Sequence, residues 1–251
     1  MPSEDDTSTR SWQAVADQWA SHADTNDYRN EFLMPIMVGM VGDIAGLDLL
    51  DLGCGEGGYG RGLARRGARV VGVDGSPRLI EVARERAASD NISVNLRCAN
   101  ANHLNGIADA SFDRVLASMS LMDVEDYPGA IREIARVLRP DGELLMSITH
   151  PCFQARVSRW IKDERGQPLF FAVDHYFDRL AWEEHMAAEF TRPVLRRHRP
   201  LEDYMAAPLA AGLFLREFRE PVPTDQDLKK SHRFRKLKRI PYFLFMRWVK
   251  P

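Results

Sequence analysis

The sequence predicts an α/β fold whose sheet is largely parallel and covered by helices on both faces. Three observations carry this. Short apolar runs alternate with helical patterns through the middle of the chain, and a glycine-rich turn joins the first run to a helix. No period of roughly 20 to 50 residues repeats, which sets aside solenoids and propellers. Residues 47–52, 68–73, 92–98, 112–117 and 143–148 each read as a buried strand bounded by Gly, Pro, Asn or Asp. Strands joined through helices imply right-handed crossovers and a parallel sheet.

The helices follow from caps and periodicity. Ser76 caps a helix that begins at Pro77 and keeps Leu79, Ile80, Ala83 and Ala87 on one face. Ile131, Ile134, Ala135 and Leu138 hold the next helical face, and Arg139-Pro140-Asp141-Gly142 is expected to stop it before the following strand. Ahead of the sheet, residues 12–40 read as helical, with Trp12, Trp19 and Tyr28 as large anchors. Residues 151–200 lose the strand–helix rhythm and read as an insertion with one helix and two strands, near 170–177 and 193–199. The rhythm resumes with a helix at 201–213 and a strand at 214–220. Residues 242–249 are apolar on both faces of their alternation, which suits a strand inside the sheet and not at its edge.

Composition bounds the function. With 251 residues, 45% of them hydrophobic and 28% charged, the chain is long enough to bury one substantial core without disulfide or metal staples. Cys54, Cys98 and Cys152 have no CxxC spacing, which argues against a disulfide framework or structural zinc and for a reducing cytoplasm. A net charge of −2 disfavours a whole-surface attraction to nucleic acid or anionic membrane. Residues 1–10 are polar and acidic, unlike a signal peptide. The longest apolar stretch, 32–41, is too short to span a bilayer and contains Pro35.

The chemistry centres on Leu49-Leu50-Asp51-Leu52-Gly53-Cys54-Gly55-Glu56-Gly57-Gly58, a strand entering a glycine turn and then a helix. Bare backbone there permits close approach of a ligand. The next strand ends in Asp74, whose carboxylate can accept from two ribose hydroxyls, so the pair describes a nucleoside site at the carboxyl ends of adjacent strands. Gly53, Gly55 and Gly58 also satisfy the dinucleotide spacing G-x-G-x-x-G. Charge separates the two ligands. A diphosphate avoids carboxylates, whereas Asp51 and Glu56 flanking the turn suit a ligand carrying an ammonium and a sulfonium. Either carboxylate also has a purely local use, complementing the following helix dipole.

Residues 49–148 resemble a class I S-adenosylmethionine-dependent methyltransferase of the small-molecule type. The signature lies in Leu50-Asp51-Leu52-Gly53-Cys54-Gly55-Glu56-Gly57 and in Gly72-Val73-Asp74-Gly75-Ser76. Ser111-Phe112-Asp113-Arg114-Val115 and Leu138-Arg139-Pro140-Asp141-Gly142 match the approaches to the fourth and fifth strands. The resemblance implies a Rossmann-like seven-stranded sheet with its last strand antiparallel, an N-terminal helical lid over 1–45, a cofactor-binding core over 46–150, a substrate-covering insertion over 151–200 and completion of the sheet by 201–251. It implies S-adenosylmethionine as cofactor. Asp51 with the backbone around Gly53, Gly55 and Gly57 is expected at its amino-acid end, and Asp74 at the ribose. Asn100, standing where the family shows an aspartate, is expected with Ala101 at the adenine, since an amide still accepts that hydrogen bond. Cys54, Gly75 and Ser118 complete the expected cofactor wall, and Tyr28 with Arg29 is expected to touch the cofactor from the lid. Ser118-Met119-Ser120-Leu121 differs from the Asn/Asp-Pro-Pro-Tyr run of enzymes that methylate DNA amino groups, which points to a small metabolite as acceptor.

Methyl transfer is an in-line displacement that needs alignment and desolvation, with a base for a hydroxyl or ammonium acceptor. His150, after the fifth strand, and His198, where the insertion rejoins the fold, are the expected catalytic candidates. His175 has no positional argument beyond lying in the insertion. No HxxxH pair occurs, so no metal is expected. Phe153, Trp160, Phe170, Phe171, Tyr176, Phe177 and Trp182 either line the substrate pocket or form the insertion's own small core. The basic run 229–239 reads as a solvated, mobile loop on the active-site side, with attraction of an anionic substrate or carrier protein as the functional alternative. The reading is methylation of oxygen, nitrogen or carbon on a small metabolite. Its rivals are an NAD(P)-dependent oxidoreductase and a nucleoside-binding module without turnover.

Overall fold

A computed structural model describes residues 6–251; residues 1–5, part of the polar start and of the expected lid segment, lie outside the described residues. Helical pieces come first: α1 (Thr7–Gln13), capped by the Asp6 carboxylate on the Ser8 N–H, α2 (Ala16–Thr25), a π-helical turn (Tyr28–Leu33) and α3 (Met34–Val41). Then β1 (Asp48–Leu52), α4 (Gly58–Arg65), β2 (Arg69–Asp74), α5 (Pro77–Ser89), β3 (Asn95–Cys98), β4 (Phe112–Ser118), α6 (Tyr127–Val137) and β5 (Leu138–Thr149) alternate. Two hairpins follow, β6 (Arg159–Lys162) with β7 (Pro168–Ala172) and β8 (Leu180–Glu184) with β9 (Val194–His198). The chain ends with α7 (Leu201–Ala210), β10 (Phe214–Arg219), α8 (Asp225–Lys230), a 3₁₀ turn (His232–Lys238) and β11 (Phe243–Val249).

Seven strands form one sheet in the order β10-β11-β5-β4-β1-β2-β3, with β11 antiparallel to both neighbours and the others parallel to one another. The carboxyl ends of β1 to β5 and of β10 therefore share one edge. Strand alternation splits the core into two layers. Leu50, Val115, Met146 and Trp248 pack beneath Ile131 and Ile134 of α6, while Leu49, Leu116, Leu145 and Phe245 pack against Met37 of α3 and Leu63 of α4.

Three expectations change. Leu138 leaves the helix for extended backbone and opens β5, so Arg139 to Gly142 lie within a strand; Asp141 and Gly142 pair there with Lys250. Among residues 151–200 there is no helix but four strands in two hairpins, three of them carrying aromatic residues, Trp160, Phe170 with Phe171, and Trp182, which favour extended backbone. The basic run is α8 and a 3₁₀ turn anchored in the core by Phe234 and Leu237, and its charges are spread over partners such as Asp27, Glu31 and Asp225.

Leu145 is fully buried in β5, so Leu145→Ala is expected to cost about 2 to 5 kcal/mol in urea denaturation, with the slope of the unfolding line unchanged.

Candidate functional site

The glycine turn is shaped by what lies against it. Gly53 has φ +71°, and a Cβ there would sit 2.3 Å from the Ser120 Cβ, so only glycine fits. The Gly53 and Cys54 N–H groups donate to the Val73 carbonyl at 2.7 and 3.0 Å, tying the turn to the end of β2. Asp74 follows at once, and its carboxylate accepts from the Gly55 and Ser76 N–H groups, both at 2.9 Å. Burial pushes the Asp74 carboxyl up, and those two hydrogen bonds oppose the rise.

A cavity of about 600 Å³ lies across this edge of the sheet. Tyr28, Gly53, Cys54, Gly55, Asp74, Gly75, Asn100, Ala101 and Ser118 all reach its wall. The lid forms the opposite side with Trp12, Trp19, His22 and Arg29, the two indoles meeting edge to face at 5.3 Å and Trp19 lying against Gly55. Met119, also on the wall, holds φ +55°, a left-handed conformation that a bulky residue adopts only when its surroundings enforce it. Its N–H donates to the Ser147 carbonyl at 2.8 Å. Tyr28 donates its hydroxyl to the Arg233 carbonyl at 3.1 Å, while its ring contacts Phe234 and Phe243, so the lid rests on the last connection of the sheet.

The two carboxylates of the turn behave differently from expectation. Asp51 is 2% exposed, lies beneath the turn away from the cavity wall, and its Oδ2 has no hydrogen-bond partner among the described residues. Burial pushes its carboxyl up to about 7, against the Gly60 N–H, and the charge of Glu56 adds to the rise. Glu56 reaches the wall but is caged: Arg29 and the Gly58 N–H hold one oxygen, Arg61 at 3.2 Å and Arg86 at 2.9 Å the other. Its charge is spent on arginines and not offered to a ligand. Gly57 caps α4 and does not line the cavity.

Neither expected histidine reaches the cavity. Thr149 ends β5 on the wall, so strand alternation turns His150 the other way, where its Nε2 donates to Glu220 at 2.7 Å and its Nδ1 accepts from the Cys152 N–H. Burial lowers the His150 pKa, with Glu220 opposing. His198 is covered by Tyr176, donating from Nε2 to its carbonyl at 2.7 Å. His175 is an exposed partner of Asp178. The insertion's aromatics also miss the wall: Phe153, Trp160 and Phe171 cluster with Tyr242, and Phe177 is 74% exposed. The insertion instead contributes Met186, Ala187, Glu189 and Arg196.

Residues that sequence reasoning passed over occupy the remaining wall. His22 pairs through Nδ1 with Glu189 at 2.5 Å and meets the Asn26 amide at Nε2; its place one turn beyond Trp19 on the same helix face was the available signal. Asp123 lies just past the Ser118–Leu121 run, and Arg196 lies on β9. Tyr59 places its ring under the Arg29 guanidinium at 5.7 Å, and burial pushes its hydroxyl up to about 12.

Residues 50–146 match the family described as a methyltransferase domain. A ubiquinone biosynthesis O-methyltransferase of Xanthomonas oryzae pv. oryzae is 34% identical over 138 residues, 55% of each chain. A demethylmenaquinone methyltransferase of Tropheryma whipplei is 38% identical over 117 residues, 45% of this chain and 46% of that one. The chain thus spans about half the length of these curated relatives. The crystal structure of an S-adenosylmethionine-dependent methyltransferase from Mesorhizobium loti superposes with a TM-score of 0.73 at 26% identity, covering 86% of this chain and 96% of that one.

Two outcomes follow from the turn. Glu56→Ala leaves three guanidinium groups without their shared carboxylate and is expected to cost about 3 to 5 kcal/mol by chemical denaturation. Asp51 has a folded pKa of about 7 against an ordinary value of 3.8, so its contribution is intact below the lower value and lost as pH rises through the higher. Asp51→Asn is therefore expected to gain on the native protein between about pH 4 and pH 8, by on the order of a few kcal/mol in paired urea melts.

Proposed function

We propose that this chain, whose residues 50–146 form a class I S-adenosylmethionine-dependent methyltransferase domain, transfers a methyl group to an oxygen, nitrogen or carbon atom of a small metabolite. The cofactor is S-adenosylmethionine. The observation that carries the reading is the cavity that joins the bare Gly53–Gly55 backbone, the Asp74 carboxylate and the Asn100 amide on one wall to a tryptophan-lined chamber opposite.

The residues present fit the cofactor. Asp74 holds the ribose hydroxyls, and its anchorage to Gly55 and Ser76 fixes both oxygens in place. Asn100 and the Ala101 backbone hold the adenine. Arg29, on the wall beside the glycine turn, faces the carboxylate of the amino-acid end, while Asp51 lies under the turn away from the wall, where burial disfavours its charged form. When bound, the cofactor supplies an electrophilic methyl carbon and a neutral thioether leaving group. The protein's own work is alignment and desolvation, which supply several kcal/mol of barrier lowering. Trp12 and Trp19 exclude water above the glycine turn, and Met119 with Ser118 forms the floor at the end of β4. No helix among the described residues is long and apolar enough to cross a membrane, and we place the reaction in a reducing cytoplasm, which suits Cys54, Cys98 and Cys152, none of them in a disulfide.

The test is calorimetry with S-adenosylhomocysteine. Asp74→Ala is expected to weaken binding by about 1 to 3 kcal/mol, because a charged acceptor of two hydroxyls is removed, and NAD is expected to produce no heat. Undiminished binding by the variant overturns the ribose assignment.

A further inference from the structure

Resting on the methyl-transfer reading, we propose that Asp123 and Arg196 form the acceptor subsite of the cavity. They select a small acceptor that carries a hydroxyl together with an anionic or carbonyl oxygen, and Asp123 takes the hydroxyl proton as the methyl moves.

Both residues line the cavity, and each also holds one polar atom, Oδ1 of Asp123 and Nε of Arg196, that is packed away from solvent without a hydrogen-bond partner among the described residues. Asp123 is only 6% exposed. A carboxylate and a guanidinium with so few protein partners on one cavity wall offer an acceptor and a donor to a ligand that presents the opposite pair. The neighbouring arginines are already committed. Arg197 pairs with Glu125 at 2.9 Å and with the Ser8 and Thr7 hydroxyls, and Arg199 donates to the carbonyls of Met122, Val124 and Glu125. Arg196 has only a 3.5 Å contact from Nη1 to the Met186 sulfur and faces the cavity. Its fork is the one cation of the three on that wall.

The position suits the reaction. Asp123 follows β4 by five residues, at the carboxyl edge where the chamber meets the cofactor wall. Burial pushes its carboxyl up. Arg196 foremost, then the Trp12 indole, Arg199 and Arg197, hold it down, and Tyr204 of α7 also feels its charge. A carboxylate more basic than in water is the better proton acceptor for a hydroxyl. Trp12, Trp19 and Met122 supply flat apolar surface for the acceptor's body. In the step, the hydroxyl oxygen forms a bond to the methyl carbon, the carbon–sulfur bond breaks with its electron pair on sulfur, and the proton passes to Asp123. The products are a methyl ether, a neutral thioether and a protonated carboxyl that returns its proton to solvent.

The test uses the full chain saturated with S-adenosylhomocysteine and titrated with 2-, 3- and 4-hydroxybenzoate, with benzoate and phenol as controls. At least one hydroxybenzoate is expected to bind about tenfold or more tighter than either control. Arg196→Met and Asp123→Asn are expected to abolish that advantage while S-adenosylhomocysteine binding stays unchanged, which also shows that the variants are folded. With methyl-labelled cofactor, that hydroxybenzoate gains label. Asp123→Asn then lowers kcat by about a hundredfold, and Arg196→Met acts chiefly on KM. Equal binding of all five probes by the native protein overturns the subsite without any variant, as does a hydroxybenzoate advantage that survives both substitutions. Failure of S-adenosylhomocysteine to bind the native protein overturns the underlying methyl-transfer reading instead.

Discussion

The architecture of the site depends on satisfying one buried carboxylate. Glu56 stands at the mouth of the glycine turn, and three arginines converge on it from different parts of the chain: Arg29 from the π-helical turn, Arg61 from α4 and Arg86 from α5. A buried charge is tolerated only when its partners are in place, so these elements must assemble together or not at all. Arg86 also reaches Asp24 and the Ala20 carbonyl of α2, and Arg61 reaches Asp90 beyond α5. The N-terminal helices are thereby fixed over the glycine turn by charge as well as by apolar packing.

That arrangement divides the cavity electrically. Near the turn, Glu56 is neutralised, Asp51 lies buried beneath the backbone, and Asp74 has both oxygens tied to N–H groups. Across the chamber, His22 with Glu189 and Asp123 with Arg196 are polar groups set among indole and thioether surface. The two walls therefore differ in character, one built of glycine backbone and anchored carboxylates and the other of indole, thioether and imidazole side chains. The insertion's share of the second wall is narrow, since only the stretch around 186–196 reaches it.

Much of the fold was legible because the signals were local. The strands from β1 to β5, the Ser76 cap with Pro77, and the inner position of β11 are each written in a short stretch of alternation or capping residues. That Gly53, Gly55 and Asp74 would meet on one cavity wall was legible for the same reason, as they are close in sequence. The opposite wall was not. His150 drew attention because it follows a strand at the correct edge, yet the two-residue period of β5 gives the cavity to Thr149 and buries His150 on Glu220. Asp123 and Arg196 are 73 positions apart, and only the crossing of β9 over the loop after β4 makes them neighbours. The aromatic residues of 153–182 had enough surface to build a pocket but found Tyr242 and Arg239 first. The basic run was misjudged because its charge outweighed Phe234 and Leu237, two side chains whose burial folds the whole connection.

The placement of β11 carries a consequence for folding. Residues 243–249 bond on one side to β5 and on the other to β10, both of which precede them in the chain. Until they pair, β5 has one free edge, along Leu144, Met146 and Ile148, and β10 has no partner in the sheet. Such edges invite pairing with foreign strands. The β10 side of the sheet is thus joined to the rest only through a strand that follows both of its neighbours in the chain.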